Sequence, residues 1–571
     1  MEWLPCNRQS RRARGITPRR VYALLLIPLL LAGPLAARES CPDPGAPVSS
    51  LHDLRSQAVA EGDTVVVEAV TTGVFMEPDQ LGGFYLQQGA GRDAAGIFVY
   101  APRETPPAPA RQLQVHGELT RHRGRLQISR LRSVHDCGPA RLPQPLELRL
   151  PADAARLDHY PDLLVHLPQT LTVTANRDLG RYGTLTLAAD GRLRHPGQTG
   201  DAAAHDASAR SIELDDASYR ANPDPVPYLD TSGTRRVGST TTGLTGILTH
   251  AFGRHRIHPT APLEWQDGER PEPPPAPTET QLRIATANLE NDFVTLGQRG
   301  AQTAAERDRQ TAKIDALLSR LDADLIGAVE LENSAQARSA LVQRLNRTPG
   351  ARGPYAAPEH PDAGGDAIKV GLLYRPERLH LIETRTDTDP VHNRPPLLGW
   401  FEDRESSLRL GAVVVHFKAK VGCPEHGDVD RGQGCWNMLR SEQAQRLVEW
   451  IGEQRQGKFA DTPVLILGDL NAYAAEDPLQ YLRKAGKQDL VHADAAQAYT
   501  YVFRGQAGQL DYLLGPPDLR ERVQRGGSWA VNADEPVFLG YDGRLPADGP
   551  WRASDHDPVW ADLQRSTGQR R

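Results

Sequence analysis

The stretch TPVLILGDLNAY, residues 462–473, joins an apolar run to a polar end. Val464 to Leu467 are four consecutive apolar residues, which suits a strand buried on both faces. Gly468, Asp469 and Asn471 follow at once, so the strand delivers an acid and an amide where it stops. The same construction recurs upstream. QLRIATANLE (281–290) ends in Asn288 and Glu290, ADLIGAVELEN (323–333) carries Glu330, and LRLGAVVVHFKAK (408–420) reaches His416. AIKVGLLYRP (367–376) is a further apolar strand. Amphipathic helices lie between these runs. Residues 303–322 place Ile314, Leu317, Leu318 and Leu321 at helical spacing, and CWNMLRSEQAQRLVEWIGEQ (435–454) reads the same way. Strands alternating with helices predict an α/β or α+β domain.

A buried strand that ends in an acid must pair it or bind a cation. Taken singly, each acid is a cap or turn residue more readily than a ligand. Several converging at one end of a sheet predict a hard divalent metal such as Mg²⁺. Asp511 in QLDYLL and Asp555-His556 in SDHDPV extend the set.

Upstream of these strands the texture differs. PEPPPAPTE (271–279) holds too many prolines for helix or central strand and predicts a stiff extended linker, placed at 269–280. Residues 41–140 read as all-β through TVVVEAVTTGVF (64–75), GGFYLQQ (82–88), AGIFVYA (95–101) and RQLQVHGELT (111–120). Short strands of this kind predict a small barrel of the oligonucleotide-binding type. Residues 141–268 form a second β-rich accessory region, with strands at 163–176, 183–195 and 240–259 and a loop at 197–211.

At 571 residues the chain exceeds one ordinary domain. A hydrophobic content of 39% with 24% charged residues fits folded domains rather than disorder. The net charge of −6 excludes a chain coated in basic surface but leaves a local basic cleft open. Arginines 8 to 20 precede VYALLLIPLLLAGPLAA (21–37), which predicts a cleaved signal peptide over 1–37. A twin-arginine route through Arg19-Arg20 and a retained anchor are the alternatives. No second apolar run of spanning length follows, so no stable membrane insertion is expected after cleavage. Beyond Cys6 the chain keeps Cys41, Cys137, Cys423 and Cys435. Proximity favours Cys423–Cys435, worth about 3 kcal/mol, and leaves Cys41–Cys137. Zinc is the competing reading, but the Cys and His spacing does not support it.

In order, ATANLE, DLIGAVELEN, GDLNAY, QLDYLL and SDHDPV resemble the endonuclease/exonuclease/phosphatase superfamily, the fold of DNase I. NRPPLLGWF, VVVHFKAK, GQGCWNMLRSEQA, YTYVFRGQAGQLDYLL and VNADEP narrow the likeness to secreted bacterial nucleases of the ExeM/NucH type, and GGFYLQQ and AGIFVY extend it to the accessory region. The resemblance implies an α+β chain: a four-layered α/β-sandwich over 281–565, preceded by an all-β, OB-like accessory region. It implies that Asn288 and Glu330 hold a divalent ion, with Glu290 and Asp555 helping directly or through water. His556 would be the catalytic histidine, oriented by Asp511, and His416 a second one near the scissile phosphate. Asp469 and Asn471 would position or activate the attacking water, and Arg394 would bind a phosphate oxygen. The cofactor implied is Mg²⁺ or Mn²⁺, with Ca²⁺ a further candidate. The partner implied is nucleic acid, DNA above all, and the protein implied is a secreted or periplasmic monomer.

The chemistry is coherent. A phosphodiester repels nucleophiles by its own charge, and a metal with an arginine offsets that charge. The sequence departs from the family at Val415, where the family often has Asn, which leaves the partner of His416 open, with Asp366 the candidate. Asn437 either contacts substrate or orders the disulfide loop, and Tyr374 either reaches a phosphate or packs. Two other functions stand beside the nuclease: a phosphodiesterase acting on lipid headgroups, sphingomyelinase-like, and a noncatalytic surface-binding protein. The first barrel either holds the strand or only packs.

Overall fold

The computed structural model describes residues 41–565 apart from 44, 57, 201–206 and 349–351; the expected export segment at 1–37 lies outside them. Five strands, β1 (Thr64–Phe75), β2 (Gly83–Gln88), β3 (Ala95–Tyr100), β4 (Arg111–His122) and β5 (Arg125–Pro139), close into a barrel in the order β1-β2-β3-β5-β4. Alternate residues such as Val65, Val67, Leu86, Val99, Val115 and Ile128 fill it. β5 escapes sequence reading because its alternation is broken at Arg130, where φ is 49° and the ladder to β4 slips nearby. Cys41–Cys137 ties the start of the described chain to β5.

The next strands are β6 (Leu146–Glu147), β7 (Leu164–Ala175), β8 (Thr184–Ala189), β9 (Ser211–Asp215), β10 (Thr240–Ala251), β11 (Arg254–Pro259) and β12 (Trp265–Gln266). Pairing of β10 with β7 closes a ring β7-β8-β9-β11-β10. This ring repeats the strand order of the first barrel, down to a single parallel contact, β9–β11 here and β3–β5 there. The expected loop at 197–211 instead holds part of one helical turn, Pro196–Thr199, a second, Ala207–Arg210, and the start of β9. The rings meet through Phe75, Tyr85 and Phe98 on one side and Leu164, Ala217 and Ile247 on the other.

The C-terminal half runs β13 (Gln281–Asp292), α1 (Ala304–Leu321), β14 (Leu325–Glu332), α2 (Ala335–Leu345), β15 (Ile368–Tyr374), β16 (Leu379–Thr386), β17 (Leu397–Asp403), β18 (Arg409–His416), α3 (Asn437–Gln454), β19 (Val464–Asp469), α4 (Asp477–Lys484), β20 (Gln488–Asp489), β21 (Tyr501–Phe503), β22 (Gln506–Gly508), β23 (Asp511–Gly515), β24 (Val523–Ser528) and β25 (Val559–Gln564). One sheet has the order β15-β14-β13-β25-β24, the other β16-β17-β18-β19-β23-β20. Their facing sides bury Ile284, Val329 and Leu372 against Val414, Leu467 and Leu513. α1 and α2 cover the outside of the first sheet, α3 and α4 the outside of the second. The result is the four-layered sandwich. Thr303 and Ser334 cap α1 and α2 by accepting from the backbone N–H three residues on. The sheets approach closely at Gly327: a Cβ there would lie 2.2 Å from Leu467 Cδ1.

The proline-rich segment is extended and lies along the sandwich, where Trp529 Nε1 donates to Pro271 O at 3.1 Å. The accessory rings are clamped to the sandwich through VNADEP. Arg192 chelates Asp534 at 2.6 and 3.0 Å, Arg270 donates to Glu535 at 2.8 Å, and the buried Arg236 pairs with the same glutamate. Phe538 and Leu539 then enter the core of the second ring. Gly180 permits this, since a Cβ there would meet the Phe538 ring at 2.5 Å.

Candidate active site

Strand register assembles the site. In the second sheet His416 on β18 pairs with Asp469 on β19, and Asp469 pairs with Asp511 on β23. Three polar residues thus stand side by side where two apolar strands end and a third begins. Gly468 makes the turn into Asp469 possible: its φ is 135°, and a Cβ would lie 2.0 Å from Val415 O. In the first sheet the parallel ladder β13–β14 slips between Asn288 and Asp292, and β14–β15 slips between Ala328 and Leu331. These bulges turn Glu290 (φ 46°) and Glu330 (φ 63°) out of the pleat; Asn471 (φ 48°) is also left-handed. Such backbone clusters at sites where side chains must be re-aimed.

Asn288 Nδ2 donates to Glu330 Oε1 at 3.1 Å, and Asn288 Oδ1 accepts from Glu290 N at 2.8 Å. Burial, then Asp555, pushes Glu290 up to about 8, and the same two causes raise Glu330. Among the described residues no lysine or arginine stands within ion-pair distance of Glu290, Glu330 or Asp555. Crowded carboxylates with an amide oxygen are hard donors, and they fit a divalent cation such as Mg²⁺ or Mn²⁺. Glu332, two residues on, faces away and accepts from Val294 N and Thr295 N, as an ordinary strand-end acid does.

His556 reaches across from the loop before β25. Its Nδ1 donates to Asp511 Oδ2 at 2.7 Å, and its Nε2 lies 4.0 Å from both Asp469 Oδ2 and Asp555 Oδ1. Burial opposes its charge, but Asp511, Asp469 and Asp555 together hold its pKa well above the ordinary value. His416 is the reverse case. Burial, then Arg394 and His556, holds it well below the ordinary value and therefore neutral. Its Nε2 lies 3.5 Å from Asp469 Oδ2, and its Nδ1 is buried without a partner. Asp366, the partner expected for His416, instead faces Arg394 Nε at 3.7 Å and Arg299 Nη1 at 3.3 Å, so Asp469 is the carboxylate beside that histidine. Burial pushes Asp469 up to about 7 against the pull of His556, with Asp511 and Glu330 adding to the rise. Asn471 supports it, donating from N to Oδ1 at 2.8 Å and from Nδ2 to Phe417 O at 3.2 Å. Arg394 Nη2 donates to the same Phe417 carbonyl at 3.3 Å. Asp469, Asp511 and His556 offer donor atoms within 4.8 Å of one another, but His556 Nδ1 is already committed to Asp511.

Three residues were not anticipated. Thr500 Oγ1 donates to Asp511 Oδ2 at 2.7 Å while accepting from Leu510 N and Asp511 N, which fixes the direction of its proton. The Tyr501 ring lies 4.7 Å from that of His556. Asn532 Nδ2 donates to His556 O at 2.6 Å. No local pattern marks them, because their roles exist only once β21, β23 and the loop before β25 have met. Asp557 is structural: its Oδ1 accepts from Asn532 N and Ala533 N. Asn437 donates to Asp477 Oδ2 at 2.8 Å at the edge of the Cys423–Cys435 loop and makes no bond to the cluster. Tyr374 packs on Phe401.

Residues 285–556 match the Endonuclease/Exonuclease/phosphatase family. No curated protein matches the chain. Similar solved structures include the human Nocturnin catalytic domain with bound sulfate anion, at 16% identity and TM-score 0.35 over 51% of this chain and 97% of that one. A mannosyl-6-phosphatase from Bacteroides thetaiotaomicron has 15% identity and TM-score 0.34 over 49% and 99%. TDP2 from D. rerio, complexed with a single-strand DNA product, has 12% identity and TM-score 0.33 over 50% and 99%.

Proposed function

The C-terminal half of the chain belongs to the endonuclease/exonuclease/phosphatase family, whose members are hydrolases of phosphoesters, and on that premise we propose that the protein is a secreted, divalent-metal-dependent nuclease. It hydrolyses phosphodiester bonds of DNA, and of RNA if the sugar is not read, to 5′-phosphate products. The observation that carries this reading is the row His416–Asp469–Asp511 with His556 held on Asp511 at 2.7 Å. Two disulfides in the described chain accord with export. Among the described residues no helix is long and apolar enough to cross a membrane. The five-stranded closed barrel fits an OB-like accessory module.

Asn288 and Glu330 would hold the ion, Glu290 and Asp555 directly or through water. When bound it draws charge off the phosphodiester and stabilises the more negative transition state. Asp469, its pKa raised toward neutrality, takes the proton of the attacking water, which Asn471 orients. His556, kept protonated by its three carboxylates, donates a hydrogen bond from Nε2 to a phosphate oxygen, and the departing 3′-oxygen takes its proton from solvent water. Neutral His416 and Arg394 border the same phosphate from the other side.

A lipid-headgroup enzyme needs an apolar element free to enter a bilayer. Phe503, 45% exposed on the β21–β22 hairpin near the site, is one such residue among those described. Its hairpin is pinned to the second ring by His195 N to Ala507 O and Ala507 N to Leu193 O, each 2.9 Å, and Arg504 lies over its ring. The test is plasmid cleavage by the purified, oxidised chain with Mg²⁺ or Mn²⁺. Nicking that disappears with EDTA and in His556→Ala supports the nuclease. No nicking by folded, metal-loaded protein, with hydrolysis of sphingomyelin vesicles, overturns it in favour of the lipid reading.

A further inference from the structure

Next to the catalytic cluster lies a cleft of about 430 Å³ that the sandwich does not build alone. Its floor includes Glu290 and Asp555; its walls include Arg544 and Arg552 from the C-terminal loops, and Arg177 and Arg181 from the second ring. Two of these arginines are occupied. Arg544 donates to the carbonyls of Gly180, Asn222 and Pro223, and Arg552 to those of Asn532 and Glu535. Arg177 and Arg181 are not. Both are exposed, and among the described residues neither forms an ion pair; the Arg181 guanidinium only lies over the neighbouring Tyr182 ring at 5.3 Å. They sit in the connection between β7 and β8, held against the sandwich by Arg544 and by the contact of Gly180 with Phe538. The ring β7-β8-β9-β11-β10 has the strand order of a five-stranded barrel, and in barrels of the oligonucleotide-binding kind the connection between the first two strands is a nucleic-acid contact.

We propose that Arg177 and Arg181 bind phosphates of a nucleic-acid strand that flank the scissile one, so that the second ring completes the substrate cleft and gives the enzyme its preference for a polymer over a small phosphodiester. The inference rests on the nuclease reading above and deepens it. An acidic floor with a basic rim suits a cation below and a polyanionic chain along the edge, and exposed Tyr182 beside Arg181 offers a ring for a base. A lone headgroup or sugar phosphate would engage the floor and leave the rim unused.

The test compares wild type with the Arg177→Ala/Arg181→Ala double variant on two substrates, a single-stranded oligodeoxynucleotide of about twenty nucleotides and bis(p-nitrophenyl) phosphate. The ratio of kcat/KM for the oligonucleotide to that for the small diester is expected to fall about tenfold, carried by KM. The slope of log KM against log salt is expected to become shallower by about 1.4, or about 0.7 per lost single-strand contact. The Arg177→Lys/Arg181→Lys variant keeps the charges and restores the slope, which a merely structural role would not do. Equal losses on both substrates, or an unchanged salt slope in a wild type that cleaves the oligonucleotide, overturn the cleft assignment alone. A wild type that hydrolyses the diester but neither binds nor cleaves the oligonucleotide overturns the nuclease reading, and this one with it.

Discussion

Replacing Asp511 separates two things that its carboxylate does for His556. Thr500 determines what each substitution removes. Its hydroxyl accepts from two backbone N–H groups and so points its proton at Asp511 Oδ2, the same oxygen that accepts from His556 Nδ1. In Asp511→Asn the amide oxygen must take that position, since an NH₂ there would face two donors. The imidazole keeps its orientation and Nδ1 its proton, and only the charge is lost. An imidazolium about 4 Å from a carboxylate gains about 4 kcal/mol at an effective dielectric of 20. That caps the loss near a thousandfold, since each 1.4 kcal/mol is tenfold in rate. Partial compensation by Asp469 and Asp555, which also face His556, makes a fall of about a hundredfold in kcat the expected result. Asp511→Ala loses orientation as well and is expected to fall at least another tenfold. Single-turnover cleavage of a labelled oligonucleotide at saturating metal measures both. Equal rates for the two variants would refute the claim that Thr500 preserves geometry in the asparagine form. A wild-type rate in either would remove His556 from the chemistry.

Three further outcomes are expected. Glu330→Gln keeps the bond to Asn288 but removes a charge from the metal end, so the Mg²⁺ concentration for half-maximal activity rises about tenfold or more in a metal titration. Gly468→Ala forces a side chain into Val415 O at a φ of 135° and displaces Asp469, so activity falls at least a hundredfold while circular dichroism shows a folded chain. At the far end of the second sheet, burial opposes ionisation of Asp403, but Arg565 and the backbone N–H groups of Glu405 and Ser406 hold its carboxyl below the ordinary value. A depressed carboxyl stabilises the fold above its unfolded pKa of about 4, and that contribution is lost as pH falls through the folded value. Arg565→Ala, which strands the buried carboxylate, is expected to cost about 3 kcal/mol in urea unfolding at pH 7, with the gap to wild type narrowing below about pH 4. A gap that stays constant with pH would mean that the pair contributes by packing alone.

The parts of this molecule that were legible in its sequence are those whose cause is local. An apolar strand that runs into a polar residue shows itself at Asp469, Glu330 and Asn288, and β1 runs from Thr64 to Phe75, the bounds of its β-branched run. α1 and α3 follow from periodicity and lie within a residue or two of their expected ends. What escaped was set by distant partners. β5 bends at Arg130 to close a barrel, so its side chains cease to alternate. The second ring repeats the first in topology without repeating its sequence. Asp534 and Glu535 carry no mark of their arginine partners some three hundred positions upstream. Asp366, expected beside His416, instead faces Arg299 and Arg394, and register across β18–β19 gives that place to Asp469.

The ladder between β13 and β25, which pairs Gln281 with Gln564 and Thr286 with Val559, makes the site the last part of the sandwich that can form. β25 lies between β13 and β24, and the loop just before it supplies Asp555 and His556. Asn288 is synthesised early and His556 late. Until that segment has been made and folded back, the first sheet has a gap between β13 and β24 and Asp511 has no imidazole to hold. A chain that stops before Asp555 therefore lacks both β25 and the imidazole that rests on Asp511.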